Sequence, residues 1–367
     1  MYPTISHFIE DLFGIFIPLP IQTFGFFVAL AFLIASWTLS LEMKRKEEEG
    51  ILQVIIKDKI VGLKATPWQL LSAAIVGFLI GFKLVEAVFY YNDLVANPQE
   101  FILSSRGHFL GGVLGAIVSS YTKYRDFAKQ ALPEAKTIQE KIHPYEIVGN
   151  ITLLAAAAGL LGAKIFHNLE NIDAFLADPV GQLLSFSGLT FYGGLICGAA
   201  VIIWYGKKHN IHYTHIADAA APGLMLAYGV GRLGCHFAGD GCWGDFNSCD
   251  IPDQISFLPD WIWHYDYKNA VVGPPDGLVY PTAIYESIMA ILLFSFLWIL
   301  RKRITIPGML FGIYLIVNGL ERFIIEKIRV NTTYNIFGNE ITQAEIISSL
   351  LIITGLGIVI YLKRLKK

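Results

Sequence analysis

The chain has 367 residues, 54% of them hydrophobic and 16% charged, against about 45–50% and about 25% in ordinary globular proteins. Its mean hydropathy is +0.52, so it has too little polar surface to cover itself, and a soluble cytosolic enzyme of two or three domains is excluded. A net charge of −2, from 28 basic and 30 acidic residues, leaves no basic field for a nucleic-acid partner.

A membrane-crossing helix needs about 20 mainly apolar residues. Nine stretches qualify: 21–42, 68–90, 107–122, 146–167, 190–205, 214–232, 281–300, 307–326 and 344–362. The third and fifth are short and glycine-rich. The expected fold class is therefore all-α, a polytopic membrane bundle forming one domain over 1–367. The start has neither the basic region nor the cleavage site of a signal peptide, so it is expected to be retained. Residues 1–20, with Phe8, Leu12, Phe13 and Phe16, suit either a helix lying in the interface or a frayed lead-in.

With nine spans, loops 43–67, 121–145, 206–213 and 301–306 and the tail 363–367 share one side. They hold 20 of the 28 Lys and Arg, which places the C-terminus in the cytoplasm and the N-terminus outside.

Residues 77–83 (GFLIGFK) recur as 158–164 (AGLLGAK), 81 positions on. Each copy leads through an aromatic end and a short loop to a glycine pair, Gly111-Gly112 or Gly193-Gly194. The reading is a duplicated helical hairpin in one orientation, with 77–145 repeating 158–214. The alternative is chance likeness between helices rich in small residues. Lys83 and Lys164 occupy matching positions and are expected to snorkel.

Ionisable groups inside spans cost about 2.5–3.5 kcal/mol each on insertion scales, so they need a partner or a task. Arg232 is read as closing the sixth span, Glu286 lies near the start of the seventh, and Arg322 and Glu326 stand four apart on the eighth, with Glu321 adjacent and Arg329 one turn on. The i, i+4 spacing puts Arg322 and Glu326 on one face. Pairing alone would explain those two. Two arginines with a carboxylate in the outward halves of three spans also suit a phosphodiester head group, because the guanidinium fork binds phosphate bidentately. Asp218 reads as a residue at the start of its own helix. The segment Gly229–Gly244 has six glycines among sixteen residues, and is expected to form a short non-helical stretch lining a polar cavity.

Four motifs in order carry a resemblance: Tyr192-Gly-Gly-Leu-Ile196; Gly231-Arg-Leu-Gly234 followed by Asp240 and Trp243-Gly244; Pro281-Thr-Ala-Ile-Tyr-Glu286; and Arg322-Phe-Ile-Ile-Glu326. Gln343 and Phe24-Gly25 fit as well. The chain resembles the bacterial prolipoprotein diacylglyceryl transferase family. Four features depart from the pattern. Tyr192 stands where members usually have histidine, Cys235 replaces an asparagine, Asp240 replaces a glutamate one residue earlier, and Phe24 stands where tyrosine is common. Members typically have seven spans, which makes the 77–145 hairpin an insertion.

The resemblance implies transfer of the diacylglyceryl group of phosphatidylglycerol to the lipobox cysteine of a prolipoprotein signal peptide, in the bacterial inner membrane, without cofactor or metal. Arg232 and Arg322 would hold the phosphate and stabilise the leaving group. Glu326 would orient Arg322, while Glu286, Asp240, Tyr285, Gly231, Gly234 and Gly244 shape the site. Tyr192, with an ordinary pKa near 10, takes the histidine's place, and His236 is the alternative base or else a loop histidine bonded to its surroundings.

Cys235, Cys242 and Cys249 recur every seven residues, which allows a Cys242–Cys249 disulfide on an oxidising face; zinc held with His236 is the weaker reading. Cys197 reads as a packing residue. Loop 233–280, rich in Trp and Tyr, reads as an outer cap. Two other classes stay open: a lipid-binding or transport protein that has lost catalysis, and a solute transporter. The retained Arg232, Glu286, Arg322 and Glu326 favour the transferase.

Overall fold

A computed structural model describes residues 1–185, 188, 190–253, 257–336 and 339–365, so Lys366 and Lys367 of the basic tail lie outside it. In chain order the elements are α1 (Ile5–Phe13), α2 (Thr23–Glu48), β1 (Ile55–Val61), α3 (Pro67–Phe89), α4 (Tyr91–Ala96), α5 (Pro98–Leu103), α6 (Phe109–Gln130) and β2 (Lys136–Ile142). There follow α7 (Val148–Glu170), α8 (Ile172–Ala177), α9 (Pro179–Leu184), α10 (Phe191–Lys208), α11 (Tyr213–Ala238) and α12 (Asp260–Trp263). The last are α13 (Thr282–Leu300), α14 (Met309–Ile325), β3 (Thr333–Ile336), β4 (Asn339–Thr342) and α15 (Gln343–Leu365).

The protein is a mostly helical, polytopic membrane protein. A long helix stands at each of the nine apolar stretches, and among the described residues α2, α3, α7, α13 and α15 are long and apolar enough to cross a membrane. The all-α expectation needs a correction. Loops 43–67 and 121–145 pair as an antiparallel ribbon, from Ile55 opposite Ile142 to Val61 opposite Lys136. A second hairpin, β3 with β4, joins α14 to α15. Chain that leaves a helix must still satisfy its backbone hydrogen bonds, and the seven facing residue pairs of the ribbon do so between the two loops.

The bundle closes through small residues, as expected where lipid supplies no hydrophobic drive between helices. A Cβ on Gly234 of α11 would lie 2.7 Å from Phe27 of α2, and one on Gly223 would lie 2.3 Å from the Thr38 hydroxyl. Opposite the cap, Glu42 is fully buried and accepts from Arg301 Nε at 2.7 Å and Arg45 Nε at 2.9 Å. Asp218 does not start its own helix. It accepts the backbone N–H of Gly308 at 2.7 Å and of Phe311 at 2.8 Å, and so caps α14 from across the bundle. Removing one partner of a buried ion pair costs about 3–5 kcal/mol. Glu42→Ala is accordingly expected to lower the unfolding midpoint in detergent by several degrees, whereas the exposed Lys302→Ala leaves it unchanged.

The boundaries of α7, α8 and α9 equal those of α3, α4 and α5 shifted by 81 residues. Backbone angles at the junctions agree: φ −121, ψ 47 at Tyr90 and φ −119, ψ 52 at Asn171. Lys83 and Lys164 turn onto the elbows of these hairpins, donating to the Ser104 hydroxyl at 3.1 Å and the Ser185 hydroxyl at 2.9 Å. Hairpin α3–α6 is braced by Tyr91, which donates to the Pro18 carbonyl at 2.6 Å, and at its other end by the β1–β2 ribbon. Cys197 packs against Gly162, as its place in a span suggested.

The N-terminal segment folds into α1. It is tied down by the Tyr2 N–H on the Phe237 carbonyl at 2.8 Å and by the edge contact of Phe8 with Phe237. Leu12, Phe13 and Phe16 stay exposed, the arrangement of a helix lying on an interface.

Candidate active site

Four parts of the chain converge at the end of the bundle beneath the cap. Helix α11 does not stop at Arg232, as the sequence suggested, but continues to Ala238 and ends on Gly239 at φ 67. Gly229 packs against Ala290 and Gly234 against Phe27 instead of breaking the helix, so the non-helical segment begins only at Gly239. Gly241, at φ 89, needs the same left-handed freedom. The Cys242 N–H donates to Asp240 Oδ1 at 3.2 Å, and the Cys242 carbonyl accepts from the Thr282 hydroxyl at 2.8 Å. Gly244 bridges to Arg329, where a Cβ would meet the Ile328 carbonyl at 2.4 Å. The turn is thus laid over the first residues of α13 and the segment that follows α14.

Glu286 is the centre of the site and is fully buried. Its carboxylate pairs with three guanidinium groups: Arg232 Nε at 3.1 Å, Arg322 Nη1 at 2.9 Å and Arg329 Nη1 at 3.2 Å. Tyr228 donates to it at 3.2 Å, and the Arg232 guanidinium lies 5.0 Å from the Tyr228 ring centroid. Arg322 Nη2 reaches Glu326 at 2.8 Å, and Glu326 also accepts from Asn331 at 2.7 Å. Glu286 and Glu326 together hold Arg322 in one orientation. Arg329 Nε has no hydrogen-bond partner among the described residues. The three arginine side chains keep 18%, 22% and 11% of their surface exposed. A buried carboxylate therefore organises a set of donors that exceeds its acceptors, with a reachable edge. Such a set receives an anion.

The remaining expected residues are placed as follows. Tyr192, at the start of α10, stands within electrostatic reach of Arg322. His236 is buried and faces the cap: its Nδ1 lies 3.0 Å from the Tyr267 hydroxyl, and its ring meets those of Tyr265 and Tyr267 edge-on. Tyr285 donates to the Ile262 carbonyl at 2.6 Å, anchoring the cap to α13. A Cβ on Gly231 would meet open space, whereas Gly234 serves the α2 contact. Gln343 is exposed at the start of α15. The cap tucks Tyr267, almost fully buried, against Trp243. Burial raises the Tyr267 hydroxyl well above its ordinary pKa, which keeps it a hydrogen-bonding phenol at any ordinary pH.

The cysteines correct a second expectation. All four are free, and Cys242 turns its sulfur to Cys235, away from the exposed Cys249. Cys249 instead offers its carbonyl to the Trp263 indole at 3.1 Å. The sulfurs of Cys235 and Cys242 and a carboxylate oxygen of Asp240 lie within 4.8 Å of one another. Cys242 Sγ also accepts from Arg232 Nη1 at 3.5 Å and Arg329 Nη2 at 3.3 Å. Two guanidiniums at that sulfur oppose a metal cation and favour a thiolate.

Arg329, Tyr228 and Cys242 were absent from the residues expected to form the site. Arg329 had a signal, a second arginine one turn beyond Glu326. Tyr228 sits one turn before Arg232 but reads as an ordinary aromatic residue of an apolar span.

The family model for prolipoprotein diacylglyceryl transferase matches residues 127–361. The chain belongs to that family. Curated members include a protein of Dehalococcoides mccartyi, 28% identical over 61% of this chain and 80% of its own length. Another, from Lysinibacillus sphaericus, is 28% identical over 74% and 94%, and one from Chlorobaculum tepidum is 29% identical over 68% and 82%. Each of the three is named a phosphatidylglycerol–prolipoprotein diacylglyceryl transferase. Helices α3, α4 and α5 and most of α6 lie before the matched residues of this transferase-family chain.

Proposed function

We propose that this chain transfers the diacylglyceryl group of phosphatidylglycerol to the lipobox cysteine thiol in the signal peptide of a prolipoprotein, releasing glycerol phosphate. The observation that carries the reading is the convergence of Arg232, Arg322 and Arg329 on the buried Glu286 in a chain of this family. A thiol that displaces a phosphate ester from carbon leaves charge on the departing oxygens, and fixed guanidinium donors stabilise that charge in the transition state.

In this reading the three arginines bind the phosphodiester and stay on the leaving group. Glu286 and Glu326 fix their orientation, and Asp240 sets the turn that carries Cys242. Tyr192, within electrostatic reach of Arg322, offers its hydroxyl to the lipid head group, while His236 and Tyr285 hold the cap. The nine long helices are read as nine spans of the bacterial cytoplasmic membrane, with the N-terminus periplasmic and the C-terminus cytoplasmic. The basic loops on a single side support that orientation. The matching helix boundaries support a duplicated hairpin, with α3–α6 added to a core of seven spans.

The test is complementation in a bacterium depleted of its own transferase. The wild-type chain should restore growth and convert accumulated prolipoprotein to its lipidated form. An Arg232→Ala chain that restored both equally well would contradict the assignment of the site.

A further inference from the structure

Transfer requires the peptide thiol to lose its proton, and an unperturbed thiol has a pKa of about 8.5. Tyr192 ionises only near pH 10 in its ordinary state, and His236 is turned to the Tyr267 hydroxyl in the cap. Besides the buried carboxylates Glu286 and Glu326, a partly exposed titratable side chain stands on the phosphate-binding donors themselves. Cys242 Sγ lies between Arg232 Nη1 and Arg329 Nη2, at 3.5 and 3.3 Å, on the turn that leaves α11. It is partly exposed, whereas Cys235 behind it is buried.

We infer that Cys242 is the proton acceptor of the reaction: its thiolate occupies the arginine donors of the lipid-free site and, once a phosphodiester displaces it, takes the proton of the incoming peptide thiol. The inference rests on the transferase reading above.

Three observations carry it. The arginines offer more donors than Glu286 and Glu326 accept, and Arg329 Nε is left without a partner among the described residues, so the protein's own carboxylates do not saturate the donor set. The sulfur of Cys242 already accepts from two of those arginines. The groups facing it from each packed element also favour the charged form on balance. From α11 come the Cys235 thiol and Arg232, from the segment after α14 Arg329, from its own turn Asp240, from the cap Tyr267, and Glu286 of α13 lies behind the guanidiniums. The Cys235 hydrogen bond, with Arg329 and Arg232 beside it, holds the Cys242 thiol below its ordinary pKa despite burial and Asp240.

A thiolate so stabilised is a weak base while it keeps its arginines. A bound phosphodiester takes them over, and the proton affinity of Cys242 rises at the moment a base is needed. The step balances. The peptide S–H bond breaks and a Cys242 S–H bond forms. The peptide thiolate then makes a sulfur–carbon bond to the lipid glycerol as the carbon–oxygen bond to the phosphate breaks, and the electron pair leaves on glycerol phosphate. The proton on Cys242 passes to the departing monoester or to water, restoring the thiolate. Lipid must therefore bind before peptide.

The test uses the full chain in phosphatidylglycerol vesicles with a lipobox peptide, following peptide mass between pH 6 and pH 9.5. The wild type should transfer at pH 7 and lose rate as pH falls, when Cys242 is already protonated before the peptide thiol can give up its proton. Cys242→Ser and Cys242→Ala should lose about 10²–10⁴-fold at pH 7, the usual worth of a positioned base, and recover most of it by pH 9, where the peptide thiol ionises unaided. Cys249→Ser, outside the site, should match the wild type. In lipid-free detergent, iodoacetamide at pH 6.5 should modify Cys242 faster than the more exposed Cys249, and added phosphatidylglycerol should alter that rate.

Wild-type turnover in Cys242→Ala overturns the inference, as does a loss that pH does not rescue or a diacylglyceryl adduct found on Cys242 itself. A wild-type chain that transfers at no pH overturns the transferase reading instead.

Discussion

Glu286→Gln is expected to abolish transfer and to destabilise the fold more than any other isosteric change at the site. One fully buried carboxylate is shared by Arg232, Arg322 and Arg329. The amide retains the shape but removes the only charge common to all three. Leaving buried charge uncompensated costs about 3–5 kcal/mol for a simple pair, and three guanidiniums depend on this one. The expected result is a fall of many degrees in the unfolding midpoint, followed by intrinsic fluorescence in detergent, with transfer below detection. The effect should also be non-additive with Arg329→Gln, because the single change strands charges that the double change removes. Additive losses would mean that the three arginines are held independently of Glu286.

Arg322→Lys is expected to give the second-largest effect, in turnover and not in stability. Arg322 uses two nitrogens at once, Nη1 on Glu286 at 2.9 Å and Nη2 on Glu326 at 2.8 Å. That arrangement needs a planar fork, which an ammonium lacks. The charge survives, so the fold should tolerate the change. Turnover should drop about 10²–10³-fold, the scale of losing one aligned donor to a developing oxyanion, with an unfolding midpoint close to that of the wild type. A midpoint falling in parallel with activity would make Arg322 structural.

The sequence carried most of the frame. Apolar runs near the length of a bilayer crossing located the long helices, and ionisable residues too expensive for lipid marked Arg232, Glu286, Arg322 and Glu326, which the structure brings together. The continuation of α11 to Ala238 was illegible, because six glycines in sixteen residues read as a broken helix. In the fold Gly229 and Gly234 are close-packing positions against α13 and α2, and among the six only Gly239 and Gly241 adopt left-handed angles. The β1–β2 ribbon was hidden because its strands lie in loops about 75 residues apart, each too short and charged to stand out beside apolar spans. Asp218 shows the same limit at one residue. Its chemistry as a cap was readable, but the helix it caps begins some 90 positions further on. For the cysteines the heptad spacing pointed to Cys242–Cys249, whereas the left-handed turn at Gly239–Gly241 folds Cys242 back onto the last turns of α11, beside Cys235.

The most direct measurement is a reconstituted assay of the full chain with phosphatidylglycerol and a lipobox peptide, recording peptide mass and released glycerol phosphate together. The expected result is a diacylglyceryl mass gain on the peptide cysteine, matched mole for mole by glycerol phosphate and lost in Arg232→Ala. No gain under conditions where another family member is active, or a gain that persists in Arg232→Ala, would contradict it.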